Sequence, residues 1–218
     1  MSTAQAFLAA ARVPHSILPQ KFGLWTIERR KAADSILGEL GDEPYGKVGW
    51  PDYTLLRRVT LASLHLELGE IVMEDSRQEL RRHLPIWMAA RGRVLKTGLG
   101  MGCVVRGLLL KPEVEHIDVV EIDADIIRVF GAEFVGKPRV TLHHADALDW
   151  DPGGRRWDFA WHDIHSFDEE ALQVKHGRLM VGFAGRAAKQ GAWAFPREAH
   201  RAAHGCLLGS PRRFGRAA

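Results

Sequence analysis

The sequence contains few cysteines and no long apolar run, and both absences narrow the class of protein. Its 218 residues include two cysteines, Cys103 and Cys206, too few for a disulfide framework and typical of a reducing cytoplasm. No stretch reaches the ~18 uninterrupted apolar residues of a membrane-spanning helix. The first residues lack the basic start and apolar centre of a secretory signal. The sequence therefore predicts a cytoplasmic protein with no membrane partner.

An excess of charge of one sign is also missing. The formal net charge is +3, which is too small to indicate a nucleic-acid partner. Basic side chains dominate from Arg197 onward, against the single acid Glu198. Such a segment is typical of a solvated chain end, and a phosphate-binding tail is the less favoured alternative. The length suits one α/β domain with a small addition.

The most informative segment is residues 94–102, with the sequence VLKTGLGMG. It predicts a strand, a glycine turn and a helix start, and Glu121 closes the next apolar segment. Glycines allow positive φ and let a ligand approach the backbone closely. The first N–H groups of a helix suit a carboxylate or phosphate, and a carboxylate after the second strand can accept two hydrogen bonds from ribose. The segment therefore indicates a site for a nucleoside-bearing cofactor.

The glycine spacing distinguishes between such cofactors. A dinucleotide fingerprint, G-x-G-x-x-G/A, would need a small residue where this chain has Cys103. The chain has G-x-G-x-G instead, formed by Gly98, Gly100 and Gly102, and this resembles the first motif of class I S-adenosylmethionine (SAM) dependent methyltransferases. The resemblance implies that the three glycines line the methionine part of SAM and that Glu121 holds the ribose. NAD(H) and a glycine turn without ligand are the alternatives.

Two further apolar segments follow, and with the first two they predict a doubly wound, Rossmann-like α/β fold with a mostly parallel sheet. Residues 139–147 predict a third strand that ends in the acid Asp146. Residues 158–164 predict a fourth strand that brings Asp163 and His165 to the carboxyl end of the sheet. Ligands of such sheets bind at the carboxyl ends of the strands. The resemblance implies that Asp146 binds adenine. We expect Asp163 and His165 to face the reacting methyl group, with His165 the better candidate base because histidine titrates near neutrality. Methyl transfer mainly requires alignment, so a reaction without a base is the alternative.

A narrower resemblance covers roughly residues 70–165. Residues 79–86, ELRRHLPI, resemble the stretch before the same glycine loop in spermidine synthases. Residues 111–116, KPEVEH, and the strand 119–123, VVEID, are also similar to that family. The resemblance implies aminopropyl transfer from decarboxylated SAM to an amine.

The residues that would bind a polyamine in that family are replaced in this chain. Met101 stands where its glycine loop carries an acid, Arg77 where it has a tyrosine, and Ser166 where it has the second acid after strand four. A polyamine is a multiple cation that needs carboxylates to bind it and one to accept its proton. We therefore predict a SAM-dependent methyltransferase acting on an unidentified small molecule. An aminopropyltransferase and a non-catalytic SAM- or nucleoside-binding protein are the alternatives.

Two other chemistries are disfavoured at the end of strand four. His162, Asp163 and His165 lie close in sequence, but a hard cation prefers several oxygen ligands and only Asp163 and Asp168 are near. We therefore predict no metal, and we expect His162 to be partly buried and hydrogen-bonded. Methylases of nucleic-acid amino groups usually show an Asp/Asn-Pro-Pro-aromatic turn here, which residues 163–166 do not match. A nucleic-acid acceptor is therefore not expected.

Three parts are predicted along the chain. Residues 1–70 form an N-terminal extension, residues 71–197 the SAM-binding domain and residues 198–218 a basic tail. The cluster of glycines and prolines in residues 41–51 predicts a loop. Residues 74–90 predict one helix with an apolar stripe. The stripe consists of Leu80, Leu84, Trp87 and Met88.

The C-terminal part is predicted to be short. A long helix over residues 169–188 and a fifth strand over residues 191–195 leave little chain for the helix and antiparallel strand pair that the methyltransferase family normally adds. The sheet is therefore predicted to be truncated at five strands, or to be covered at its edge by a second copy of the chain in a homo-oligomer.

Overall fold

The computed structural model describes residues 3–31, 50, 52–60, 69–166 and 168–193. The chain divides into two compact units that each combine several segments. The first unit is formed by Met1–Met88, Leu99–Lys111 and Asp123–Glu133. The second unit is formed by Ala89–Gly98, Pro112–Ile122 and Phe134–Ala218. The predicted loop at residues 41–51 and the predicted tail at residues 198–218 lie almost entirely outside the described residues.

The first unit contains a helix and a four-stranded antiparallel sheet with the order β1-β2-β3-β4. These elements are α1 (Thr3–Ala11), β1 (Gln20–Phe22), β2 (Trp25–Lys31), β3 (Asp52–Arg58) and β4 (Glu70–Glu74). Ile27 in β2 lies opposite Leu56 in β3, and both are buried, so the apolar side chains share one face. The predicted boundary at residue 70 falls on the first residue of β4, which pairs with β3; the predicted division into three parts stays a prediction.

The helix predicted over residues 74–90 is two short helices, α2 (Arg77–Arg82) and α3 (Leu84–Ala89). Pro85 has no N–H and cannot make the helical bond to the carbonyl four residues earlier, which favours the break at His83. The break changes which side chains after His83 face the core. Ile86 is therefore buried with Leu80 and Trp87, whereas Met88, a member of the predicted stripe, is 65% exposed.

Two further helical segments belong to the first unit. Helix α4 (Cys103–Leu109) follows the glycine loop, and α5 (Ala124–Ile126) continues through a π-helical turn at Ile127–Gly131. The guanidinium of Arg106 in α4 donates to the carbonyl of Ala11 at 3.1 Å, to the carbonyl of Met101 at 2.7 Å and to Glu133 Oε1 at 2.6 Å. This buried arginine therefore fixes the main chain of the glycine loop at Met101.

The second unit contains a five-stranded sheet in which all pairs are parallel. Its strands are β5 (Gly92–Thr97), β6 (Val114–Glu121), β7 (Val140–His144), β8 (Phe159–His162) and β9 (Gln190–Ala192). In the order β7-β6-β5-β8-β9, the chain proceeds from β5 toward one edge of the sheet through β6 and β7, and from β8 toward the other edge through β9. The strand order therefore reverses between β5 and β8, as in doubly wound folds. The predicted Rossmann-like α/β class is confirmed.

Helix α6 (Glu169–Phe183) packs against this sheet in the second unit. Leu179 and Phe183 join Leu95 of β5 and Ala160 of β8 in one buried cluster. The helix ends at Phe183 rather than at the predicted residue 188, because the chain turns and Arg186 N–H donates back to the Phe183 carbonyl at 2.9 Å. The fifth strand likewise begins and ends earlier than predicted, at Gln190 and Ala192.

Within the described ranges, no helix has the length and apolar character that crossing a bilayer requires.

Candidate site at the carboxyl ends of the parallel strands

The parallel sheet brings four of the predicted site residues to one edge. In the register of β5, Thr97 lies beside Val120 of β6 and His162 of β8, so the three strands end at the same level. Glu121 is the last residue of β6 and lies beside His144 of β7. Gly98, Glu121, Asp146 and Asp163 therefore end or follow four neighbouring strands, which is where open α/β sheets bind ligands.

Gly98 is required by the close approach of two main-chain segments. Its φ is +80°, and a Cβ at this position would lie 2.1 Å from the carbonyl oxygen of Asp163. Its N–H donates to the carbonyl of Val120 at 2.8 Å. The first glycine of the motif is therefore explained by backbone packing in the second unit, in addition to any role toward a ligand.

The other two glycines lie in the first unit, at the turn into α4. Gly100 and Gly102 have φ values of +56° and +77°, and Gly102 caps α4 without a side-chain hydrogen bond. The Sδ atom of Met73 covers this turn, because it accepts a hydrogen bond from the Met101 N–H at 3.2 Å and would lie 2.7 Å from a Cβ on Gly100. A thioether is a weak acceptor, so a stronger acceptor on a ligand would compete for this N–H group.

The two acids assigned to the adenosine part differ in their surroundings. Glu121 is 8% exposed, and its carbonyl accepts from the N–H of Ala145 at 3.0 Å. Asp146 is half-buried, and its Oδ1 accepts from the Leu148 N–H at 2.9 Å in a local turn. Each carboxylate oxygen has two acceptor positions, so this turn leaves Asp146 with acceptor capacity toward a ligand.

Lys96 is a neighbour of Asp163 that the sequence interpretation missed. Its Nζ lies 3.1 Å from Asp163 Oδ2, and its side chain is almost completely buried. The signal in the sequence was a lysine inside the apolar strand β5, two residues before Gly98. A lysine in such a strand needs a buried acceptor, and a carboxylate that follows the adjacent strand β8 of the sheet is a suitable one.

The two histidines predicted near the end of β8 have opposite environments. His165 is exposed, whereas His162 is fully buried between Thr97 Oγ1 and Gln190 Oε1, each at 3.2 Å from a ring nitrogen. Because Gln190 Nε2 donates to the Met180 carbonyl at 2.7 Å, its Oε1 is assigned as an acceptor for His162 Nε2–H. Burial lowers the pKa of His162 to about 4. His162 is therefore a neutral residue of the core.

The lowered pKa of His162 predicts a loss of stability in acid. The folded protein binds fewer protons at this group than the unfolded chain does between pH 4 and 6.5. Its contribution to the free energy of unfolding is thus fully present above pH 6.5 and is lost, by up to about 3 kcal/mol, as the pH falls toward 4. Urea unfolding of the His162→Gln variant should depend less on pH over this range than that of the wild type. Exposed His15→Gln is the control, and equal pH dependence in wild type and His162→Gln would contradict the assignment.

Cys103, the first residue of α4, is a packing residue. It is buried, and burial raises the pKa of its thiol to about 12 although the Arg106 guanidinium opposes this shift. A thiol with this pKa is not a nucleophile at neutral pH. Among the described residues, no group of three or more His, Cys, Asp or Glu side chains is arranged to hold a metal ion.

No family model matches the chain. The chain is 41% identical over 59 residues to the ribosomal RNA small subunit methyltransferase A of Pseudomonas syringae pv. syringae, which covers 27% of this chain and 21% of that protein. It is 33% identical over 125 residues to the polyamine aminopropyltransferase 2 of Ralstonia nicotianae, which covers 50% of this chain and 24% of that protein. The matches therefore span about a fifth to a quarter of the length of these relatives.

Among solved structures, TrmN from Thermus thermophilus is similar with a TM-score of 0.41 and 16% identity, over 50% of this chain and 34% of that chain. The two sequence similarities confirm the resemblance to the class I SAM-dependent methyltransferase superfamily. The second confirms the narrower resemblance to the polyamine aminopropyltransferases, the family of the spermidine synthases. The ribosomal RNA methyltransferase segment gives no support to the expectation that nucleic acid is not a partner.

Proposed function

We propose that this chain binds SAM at the carboxyl ends of β5, β6 and β7 and transfers its methyl group to a small-molecule acceptor near the end of β8. The observation that carries the proposal is the register of β5 and β6. It places Glu121, a mostly buried carboxylate, at the strand end next to the one that leads into the glycine loop. A carboxylate held in this way accepts charge-assisted hydrogen bonds from two ribose hydroxyls.

The residues present fit the cofactor. Gly98, Gly100 and Gly102 would line the methionine part of SAM. Beside Gly100, a Cβ would meet only Met73, whose flexible side chain can move away for a ligand. Glu121 would bind the ribose and Asp146 the exocyclic amine of adenine. Bound SAM would supply an electrophilic methyl group attached to its sulfonium sulfur. When the acceptor attacks the methyl carbon, the bond to sulfur breaks and S-adenosylhomocysteine is the leaving group.

Asp163 and His165 are the proposed acceptor-side residues. They follow β8 at the strand-order switch point, where the acceptor would meet the methyl group. The exposed imidazole of His165 would take the acceptor's proton, while Asp163 would orient the acceptor through a hydrogen bond. Alignment of the acceptor with the methyl carbon and sulfur supplies the larger part of the rate enhancement.

Aminopropyl transfer is the second candidate, because the similarity to a polyamine aminopropyltransferase extends over 125 residues. Lys96 argues against it, since its ammonium group neutralises the carboxylate of Asp163. A polyamine is a multiple cation, and a carboxylate that is already paired with a cation attracts it weakly. Methyl transfer to a small molecule is therefore the better supported proposal.

Incubation with methyl-labelled SAM tests the proposal directly. We expect label to enter a fraction of small metabolites, with release of S-adenosylhomocysteine. Parallel reactions contain total RNA as the acceptor, or decarboxylated SAM with putrescine. Label in RNA would replace the proposed acceptor class, and methylthioadenosine from the putrescine reaction would establish aminopropyl transfer. Failure to bind SAM in calorimetry would refute the proposal as a whole.

Glu121→Ala is expected to weaken SAM binding at least roughly tenfold, because one charge-assisted hydrogen bond is worth about 1.5–3 kcal/mol. Calorimetric titration with SAM measures the effect. Glu115→Ala is the matched control, since Glu115 is an exposed acid on the same strand and should leave the affinity unchanged. Equal affinity in Glu121→Ala and Glu115→Ala would remove Glu121 from the site.

A further inference from the structure

Lys96 has a role that core packing does not explain. It is 1% exposed in a strand whose neighbouring residues Val94 and Leu95 are apolar and fully buried. Its ammonium group donates to the carbonyl of Thr97 at 3.2 Å, to the carbonyl of Gly98 at 2.5 Å and to Asp163 Oδ2 at 3.1 Å. All three donors of the ammonium group therefore have acceptors.

These three acceptors lie where two parts of the proposed site meet. Gly98 begins the glycine loop after β5, and Asp163 follows β8. Their main chains are in contact, since a Cβ on Gly98 would lie 2.1 Å from the Asp163 carbonyl oxygen. A buried cation is costly unless it is fully paired, so Lys96 holds its acceptors at one geometry. The Asp163 side chain is 22% exposed and can still reach solvent or a ligand.

We propose that Lys96 is a positioning residue for methyl transfer and that it acts through Asp163. It fixes the carboxylate of Asp163 at a set distance from the start of the glycine loop, and so aligns the acceptor with the methyl group. The inference rests on the proposed function, because it assigns Asp163 to the acceptor. Displacement of a positioned group by about 1 Å can lower a rate about 100-fold.

The test is a double-mutant cycle of Lys96→Met and Asp163→Asn. Turnover is measured as S-adenosylhomocysteine release with the acceptor fraction labelled by the wild type, and SAM affinity is measured by calorimetry. We expect Lys96→Met to lower turnover at least tenfold while SAM affinity changes less than about fivefold. We expect the double variant to be no slower than Asp163→Asn alone, because Lys96 has no target once the carboxylate is gone. A role of Lys96 that does not pass through Asp163 would instead give losses that multiply.

A second measurement covers the case in which Lys96→Met does not fold. Asp163→Asn leaves Lys96 buried without its carboxylate and should lower the melting temperature by at least about 4 °C, whereas Asp149→Asn, at an exposed acid, should not. Equal melting temperatures for these two variants, wild-type turnover in Lys96→Met, or multiplying losses would each overturn the inference. The melting comparison needs no cofactor, so failure of SAM binding in the wild type would refute the proposed function separately.

Discussion

Gly98→Ala is expected to destabilise the protein by at least about 3 kcal/mol and to abolish SAM binding. The new Cβ would lie 2.1 Å from the carbonyl oxygen of Asp163 and 2.9 Å from its carbonyl carbon. Neither segment can move freely, because Thr97 and His162 are paired neighbours in β5 and β8. The φ of +80° adds strain for any residue with a side chain.

Two other glycines distinguish the effect of the contact with Asp163 from the effect of backbone strain. Gly153 has a φ of +60°, and a Cβ at this position would meet no heavy atom within 4 Å, so Gly153→Ala should show the backbone strain alone, about 1–2 kcal/mol. Gly100 has a φ of +56°, but its Cβ would meet the flexible end of Met73, so Gly100→Ala should fold. Gly100→Val should fold and yet lose SAM binding, because the branched side chain takes ligand space.

Urea unfolding followed by tryptophan fluorescence measures the stability of the three alanine variants, and calorimetry measures SAM binding. The expected order of destabilisation is Gly98→Ala, then Gly100→Ala and Gly153→Ala at similar values. Equal free energies of unfolding for Gly98→Ala and Gly153→Ala would show that the contact with Asp163 does not constrain the fold. Normal SAM binding by Gly100→Val would make the loop a structural turn only.

The parallel sheet could be predicted because its signals are local. The apolar pairs at 94–95 in β5 and 119–120 in β6 lie just before visible chemistry, the glycine turn after Thr97 and the carboxylate of Glu121. Parallel strands that are buried on both faces carry consecutive apolar residues of this kind, and the glycine turn fixes where the first strand ends. The order of strand, glycines, helix, strand and acid then follows from the chain itself.

The remaining features depend on partners that are distant in sequence. Lys96 and Asp163 are 67 residues apart, and Met73 and Met101 are 28 residues apart. Neither contact produces a periodic pattern in the sequence. The lysine in an apolar strand is visible in the sequence, but the residue that pairs with it is not. The break at His83 was missed for a different reason, because the apolar stripe was extended through Pro85 although proline lacks the donor that a continuous helix needs.

The four-stranded sheet of the first unit was also beyond the sequence interpretation. Its strands β2 and β3 carry several charged side chains, so their alternation of apolar and polar residues is weak. Glu28 Oε1 lies 2.8 Å from Arg57 Nε on the neighbouring strand, and this ion pair compensates for charge on the face of the sheet. Cross-strand compensation of this kind depends on register, which the sequence alone does not specify.

Asp163→Asn and His165→Ala are expected to lower turnover about 100-fold each while SAM affinity stays within about threefold of the wild type. Both residues follow β8, on the acceptor side of the proposed site, and neither is assigned to the adenosine part. Asp163→Asn keeps the shape of the side chain but removes its charge and its ion pair with Lys96. His165→Ala removes the proposed base from an exposed position, so it should leave the melting temperature unchanged.

The measurement is S-adenosylhomocysteine release with the acceptor fraction that the wild type labels, and exposed Asp149→Asn is the control. If His165 is the base, turnover of His165→Ala should fall far below that of the control, and SAM affinity should not. A chelator that reproduces the Asp163→Asn loss in the wild type, with recovery on addition of magnesium, would instead make Asp163 a metal ligand. Full turnover in both variants would mean that alignment alone carries the reaction, since an acceptor that is already a nucleophile needs only to be held in line with the methyl carbon and the sulfur.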